Sequence, residues 1–224
     1  ILHPGVELPD MRDAARQRTE FRNRHDLKDS PVMLYVGRIT ARKGFAVFAG
    51  EMLPRIIERQ PDAKLLLIGD EPEYALKHRG GERQRAMDAL AANHLSNRLI
   101  ILTGADDNTL RSAYFASDVL VFPVQERLHD HEGFGMVAIE AAAHGLPTVA
   151  FAVGGVTDAI ADNVSGRLVA AGDNEAFSRA VIDHLKNTSS LRKRDINVFA
   201  AKFAWPQFGQ RLRLICRSIR KNSI

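Results

Sequence analysis

The chain has 224 residues, 45% of them hydrophobic and 26% charged, with a formal net charge of +4 and a single cysteine. This is the composition of a globular protein with chain enough for one large domain or two small ones. It excludes an internal disulfide framework, and without a run of about 18 apolar residues it excludes a membrane-spanning helix.

The opening Ile1-Leu2-His3-Pro4-Gly5-Val6 reads as the exit from a preceding element, so the chain is expected to be a piece of a longer protein. Residues 1–30 then form an interdomain linker and a lead-in helix over the Arg-rich stretch Met11–His25. Asp29-Ser30-Pro31 punctuates the entry to a first strand, Val32–Val36. Further aliphatic runs predict strands at Lys64–Ile68, Arg98–Leu102, Val119–Phe122, Thr148–Phe151 and Arg167–Val169. Helical patterns fall near Phe45–Arg59, Glu82–His94, Asn108–Ala116, Phe134–His144 and Val156–Ala161, and Glu175–Leu185 follows the last strand. Such alternation predicts an α/β fold, a Rossmann-like doubly wound parallel sheet over residues 31–187. Its strands are nearly continuous apolar runs, as strands buried on both faces should be. Residues 188–224 form C-terminal helices. A stripe of Phe208, Leu212, Ile215 and Ile219 predicts packing on this domain or toward a missing N-terminal domain.

Ligands of such sheets bind beyond the C-terminal ends of the strands, so the loops entering the helices carry the candidate residues. The first is Gly37-Arg38-Ile39-Thr40-Ala41-Arg42-Lys43-Gly44, where Arg38 and Lys43 can converge on a phosphate or stay solvated. It lacks the Walker spacing. Gly69-Asp70 ends the second strand, and Gly104 follows the third, where backbone groups can meet a nucleobase. Turn chemistry alone explains both. After the fourth strand, His129 and His131 flank Asp130, a set able to ligate a metal but read here as loop residues beside a phosphate site.

Next come Glu132, Gly133, Phe134, Gly135, Met136, Val137 and, eight residues from the first carboxylate, Glu140. A helix from about Phe134 puts Glu132 at its mouth, with roughly 12 Å along the axis between the carboxylates at about 1.5 Å per residue. Free amides and the positive dipole at that helix N-terminus suit phosphates. Gly154-Gly155 forms a second glycine-rich junction, from which Gly155 is expected to offer its N–H alongside Gly135.

The basic clusters Arg16–Arg24, Arg192-Lys193-Arg194 and Arg211–Lys221 read as solvated helix faces, with an anionic membrane surface as the next candidate partner. Nucleic acid is disfavoured, because no basic stretch is interleaved with stacking aromatics. Cys216 fits a reducing cytoplasm.

Together these residues resemble the C-terminal, donor-binding half of a retaining glycosyltransferase of the GT-B fold, glycosyltransferase family 4. The resemblance runs through Val36-Gly37-Arg38 with Lys43-Gly44, Leu67-Ile68-Gly69-Asp70, Ser117-Asp118-Val119, Glu132 and Glu140, Gly145-Leu146-Pro147, Gly154-Gly155 and Ser165-Gly166. Asp158 departs from it, standing where the family usually has Glu.

The resemblance implies that Arg38 and Lys43 bind the donor diphosphate and stabilise the leaving group, and that Glu132 lies by the transferred sugar. It implies that amides from Phe134 to Val137 contact sugar and phosphate, and that Glu140 accepts from the ribose. It also implies a nucleoside-diphosphate sugar as donor, no cofactor or metal, and a glycan, lipid-linked or small-molecule acceptor. The implied location is cytoplasmic, with possible peripheral membrane association. The competing readings are a nucleotide-sugar epimerase of the same architecture and a non-catalytic nucleotide-sugar-binding module.

Overall fold

The computed structural model describes residues 2–72, 81–186 and 191–221. Six parallel strands form one sheet in the order β3-β2-β1-β4-β5-β6. They are β1 (Val32–Val36), β2 (Lys64–Ile68), β3 (Leu99–Leu102), β4 (Val119–Phe122), β5 (Thr148–Phe151) and β6 (Gly166–Val169). Each lies within a residue of its predicted bounds. β1, β2, β4 and β5 are buried almost throughout, because helices cover both faces of the sheet.

One face is covered by α1 (Ala14–Arg24) and α5 (Asp107–Ala116), packed together over Phe21, Leu34, Leu66 and Leu120. The other carries α2 (Phe45–Val47), a π-helical turn at Phe48–Met52, α3 (Leu53–Arg59), α4 (Glu82–Ala92) and α8 (Asn174–Leu185). α6 (Met136–Ala143) packs against β4 and β5, and the single turn α7 (Val156–Ala159) packs against α6. α9 (Lys193–Ala201) packs on α6, and α10 (Trp205–Lys221) follows it.

One expectation is corrected. Arg18 and Arg22 of the Arg-rich segment are not solvated. Arg22 is 8% exposed and donates to the carbonyls of Ala116 and Lys28. Arg18 pairs with Asp118 at 2.7 Å, whose other oxygen accepts from the Val32 amide at 2.7 Å. α1 is thus riveted to the N-terminal edge of β1 and β4. Along the stripe of α10, Phe208 is half-buried, while Leu212 and Ile215 are exposed. Ile219 lies outside the described side chains.

Candidate functional site

In this strand order the chain leaves β1 toward one edge of the sheet and β4 toward the other, so the loops after them part and flank a crevice. The β1 loop starts at Gly37, whose φ of +138° suits only glycine and whose amide donates to Ile68 O at 3.0 Å. Ile39 anchors the loop, fully buried, with its amide on Asp70 O at 2.9 Å. A short 3₁₀ turn, Ala41–Lys43, then ends at Gly44 with φ +72°. A Cβ on Gly44 would lie 1.9 Å from the Pro123 carbonyl. Only glycine lets the two loops close to this distance, and the Gln125 amide completes the junction by donating to Arg42 O at 2.8 Å.

That junction delivers Arg42 and Lys43 to Glu132. The Lys43 ammonium lies 2.7 Å from Glu132 Oε2. The Arg42 guanidinium binds the same oxygen and reaches Asp130 through Nε at 3.0 Å. The side chains of Arg42, Lys43 and Glu132 are only 14%, 13% and 12% exposed. Charges this buried persist only when paired. Burial holds the Lys43 pKa below its ordinary value, against the opposing hydrogen bond and charge of Glu132. The ammonium also sits 4.9 Å from the centre of the Phe122 ring. Arg38, by contrast, is exposed and its guanidinium has no hydrogen bond or ion pair among the described residues.

The helix beside this cluster starts two residues later than predicted. Gly135 is its N-cap, with φ +85°, and the first helical residue is Met136. The roughly 12 Å ruler between the carboxylates therefore fails, since Glu132 to Gly135 is not helical. Only the four steps from Met136 to Glu140 rise along the axis, about 6 Å. The amides of Gly135, Met136 and Val137 still have no helical acceptor behind them. Phe134 is buried, stacked on His3 with ring centres 4.6 Å apart and tilted on Phe203 at 5.6 Å.

Gly155 is also corrected. Its N–H is not offered to a ligand but donates to Glu132 O at 2.9 Å. A Cβ on Gly155 would lie 1.9 Å from Gly133 O. The Gly154-Gly155 junction therefore holds the Glu132 loop by backbone contact, and Gly133 itself is exposed beside it.

Glu140 lies elsewhere, in a cavity of about 350 Å³ lined by Gly5, Glu7, Arg111, Tyr114, Met136 and His144. Its Oε2 accepts from the Tyr114 hydroxyl at 2.8 Å. Tyr114 is 2% exposed, and burial, then the Glu140 charge, push its pKa up. His144 stacks on Tyr114 at 4.9 Å and its Nδ1 lies 2.7 Å from Glu140 O. Burial lowers the His144 pKa to about 4.

The remaining predicted positions contribute backbone shape. Gly69, with φ +142°, lets β1 and β2 end side by side, since a Cβ there would meet Gly37 O at 2.1 Å. Asp70 is bound to Arg83 at 2.7 Å and to the Glu71 amide. Gly104, with φ +64°, has nothing within 4 Å of a Cβ position. Among the described residues no cluster of three or more His, Cys, Asp or Glu could hold a metal. No described helix is long and apolar enough to cross a membrane.

Two residues at this site were not anticipated. Arg42 lies inside the quoted β1 loop, beside Lys43, and a third cation there was the available signal. Tyr114 carries no local signal, since a lone aromatic on an amphipathic helix reads as core.

The model of the glycosyl transferases group 1 family matches residues 30–187. The D-inositol 3-phosphate glycosyltransferase of Mycobacteroides abscessus is 33% identical over 207 residues, 92% of this chain and 43% of that protein. The GDP-mannose-dependent alpha-(1-6)-phosphatidylinositol monomannoside mannosyltransferase of Mycolicibacterium smegmatis is 31% identical over 186 residues, 82% of this chain and 46% of that one. Among solved structures, sucrose-phosphate synthase from Thermosynechococcus elongatus superposes with a TM-score of 0.77 at 28% identity, over 99% of this chain and 52% of that one. HepE of Anabaena, crystallised with UDP, shares the fold at a TM-score of 0.76 and 19% identity, over 96% and 57% of the two chains. The chain spans less than half the length of the two curated relatives.

Proposed function

Because the chain belongs to the glycosyl transferases group 1 family, we propose that it is the donor-binding half of a retaining, family 4 glycosyltransferase acting on a nucleoside-diphosphate sugar. The observation that carries this reading is the crevice between the β1 and β4 loops. There Lys43 and Arg42 meet Glu132, Arg38 stands exposed at the rim, and the N-terminus of α6 opens nearby.

Arg38, Lys43 and the first amides of α6 hold the diphosphate. Glu132 faces the transferred sugar, and Glu140 accepts from a ribose hydroxyl in the cavity that Met136, the first residue of α6, also lines. During transfer the bond between the anomeric carbon and the β-phosphate oxygen breaks, and its electron pair stays on the phosphate. The acceptor oxygen bonds to that carbon on the same face, and its proton passes to the departing phosphate. Fixed positive charge at the leaving oxygen is electrostatic catalysis that needs no reorganisation at the moment of reaction. These cations take the place of a divalent ion, so transfer is metal-independent. The acceptor, a glycan, lipid-linked or small molecule, is met by an N-terminal domain outside this chain, and residues 1–30 and 188–224 flank the donor domain on either side.

The decisive experiment is calorimetric titration of UDP and GDP, with and without magnesium. Saturable 1:1 binding of one of them, unaffected by chelator, is expected. Binding of neither, or binding only with the metal, contradicts the reading.

A further inference from the structure

We propose that Arg42 is a positioning residue whose task is to neutralise Glu132 so that Lys43 keeps its charge available to an anionic ligand. This rests on reading the crevice as a diphosphate site.

The four charged groups form a balanced set: Arg42 and Lys43 against Asp130, which is half-buried, and Glu132. Arg42 touches both carboxylates with one planar fork, while Lys43 touches Glu132 alone. Glu132 directs one oxygen, Oε2, at both cations. Take Arg42 away and this 12%-exposed carboxylate has Lys43 as its single ion-pair partner among the described residues. The ammonium is then held as a closed pair, and Asp130 adds an uncompensated charge beside it. The set changes from neutral to a net charge of −1, facing a diphosphate that is itself anionic.

Arg42 is well placed to prevent this without touching the ligand. Its side chain is 14% exposed and ion-paired to two carboxylates, and its carbonyl accepts from the Gln125 amide at 2.8 Å. The loop of Asp130 and Glu132 is therefore tied to the β1 loop at two levels, backbone and side chain. Arg38, exposed and without such partners, is the guanidinium free to meet phosphate.

The inference has a signature that a ligand-contacting or purely structural arginine lacks. If Arg42 acts by relieving Lys43 of Glu132, its loss is cured by removing the charge of Glu132. The test is calorimetry with UDP and GDP on the wild-type protein, Arg42→Ala, Arg42→Lys, Glu132→Gln and the double variant Arg42→Ala/Glu132→Gln, with thermal melting to establish folding. Arg42→Ala should weaken the better nucleotide about 10- to 100-fold, the range of one charge-assisted hydrogen bond. Arg42→Lys, which keeps the charge but cannot span both carboxylates, should lose less. The double variant should recover to within about threefold of Glu132→Gln alone, a strong positive coupling. A double variant as weak as Arg42→Ala, or an Arg42→Ala that binds like wild type, overturns the inference. If Arg42→Ala does not fold, Arg42→Gln takes its place, and an Arg42→Gln that binds like wild type overturns the inference as well. Failure of the wild type to bind either nucleotide defeats the donor-site reading itself, and the inference with it.

Discussion

Glu132 and Glu140 stand eight residues apart on one loop-helix unit, yet their surroundings differ in kind. Glu132 is locked between an arginine and a lysine at the mouth of the crevice, and shares that arginine with a second carboxylate, Asp130. Glu140 meets a neutral phenol, with an imidazole that burial keeps uncharged nearby. A carboxylate in an ion-pair cluster responds to charge. One oriented by a neutral donor responds to hydrogen-bonding groups, and a sugar hydroxyl is such a group. Under the proposed function the unit separates into a charge-handling end and a hydroxyl-reading end.

This contrast predicts which substitutions act through charge and which through shape. The largest effect is expected at the charged end: Lys43→Ala, or Arg38→Ala, in the complete enzyme should lower kcat by roughly 10²–10³. Turnover that survives both changes would break the assignment.

An effect of intermediate size separates the neutral end by pH. The imidazoles of His144 and His184 are both held at about 4 by burial. A histidine with a depressed folded-state pKa stabilises the fold above its unfolded value near 6.5 and loses that contribution as pH falls toward 4. Stability should therefore drop between pH 6.5 and 4 by at most about 3 kcal/mol per imidazole. His144→Asn should flatten part of that slope in denaturant titrations, and an unaltered pH profile would show that His144 is not responsible.

Glu140→Gln is next: weaker binding of a nucleoside diphosphate by about 1–3 kcal/mol, with inorganic pyrophosphate unaffected. Equal losses for both ligands would show that Glu140 senses the phosphate and would erase the contrast. The smallest effect belongs to Tyr114→Phe, which removes one hydrogen bond to Glu140 and should cost about 1 kcal/mol in nucleotide affinity. It should also narrow the preference for ribose over 2′-deoxyribose or 3′-deoxyribose nucleotides, and an undiminished preference would remove Tyr114 from the site.

The sheet was legible in the sequence because each strand is buried on both faces and so appears as an unbroken aliphatic run such as Lys64–Ile68. The loops carrying Arg38, Lys43 and Glu132 were legible for the same reason, since they begin where those runs stop. Pairing within the site was not. Arg42 and Glu132 are 90 residues apart, and their contact depends on a 3₁₀ turn that aims Arg42 across the crevice and on Gly44 letting the loops touch. Gly155 misled because a glycine that admits a ligand and one that admits another backbone look alike in one dimension. The helix start was misplaced because Phe134 continues the apolar pattern but spends its side chain on His3 and Phe203 instead of on α6.

The central claim is that the crevice between β1 and β4 binds a nucleoside diphosphate through Lys43. Thermal melting with and without UDP and GDP tests it most directly, since a ligand at about 100 times its Kd stabilises by about 2.7 kcal/mol. The account predicts that one of the two raises Tm by several degrees in the wild type and by far less in Lys43→Ala. No shift with either at millimolar concentration, or an equal shift in Lys43→Ala, would contradict it.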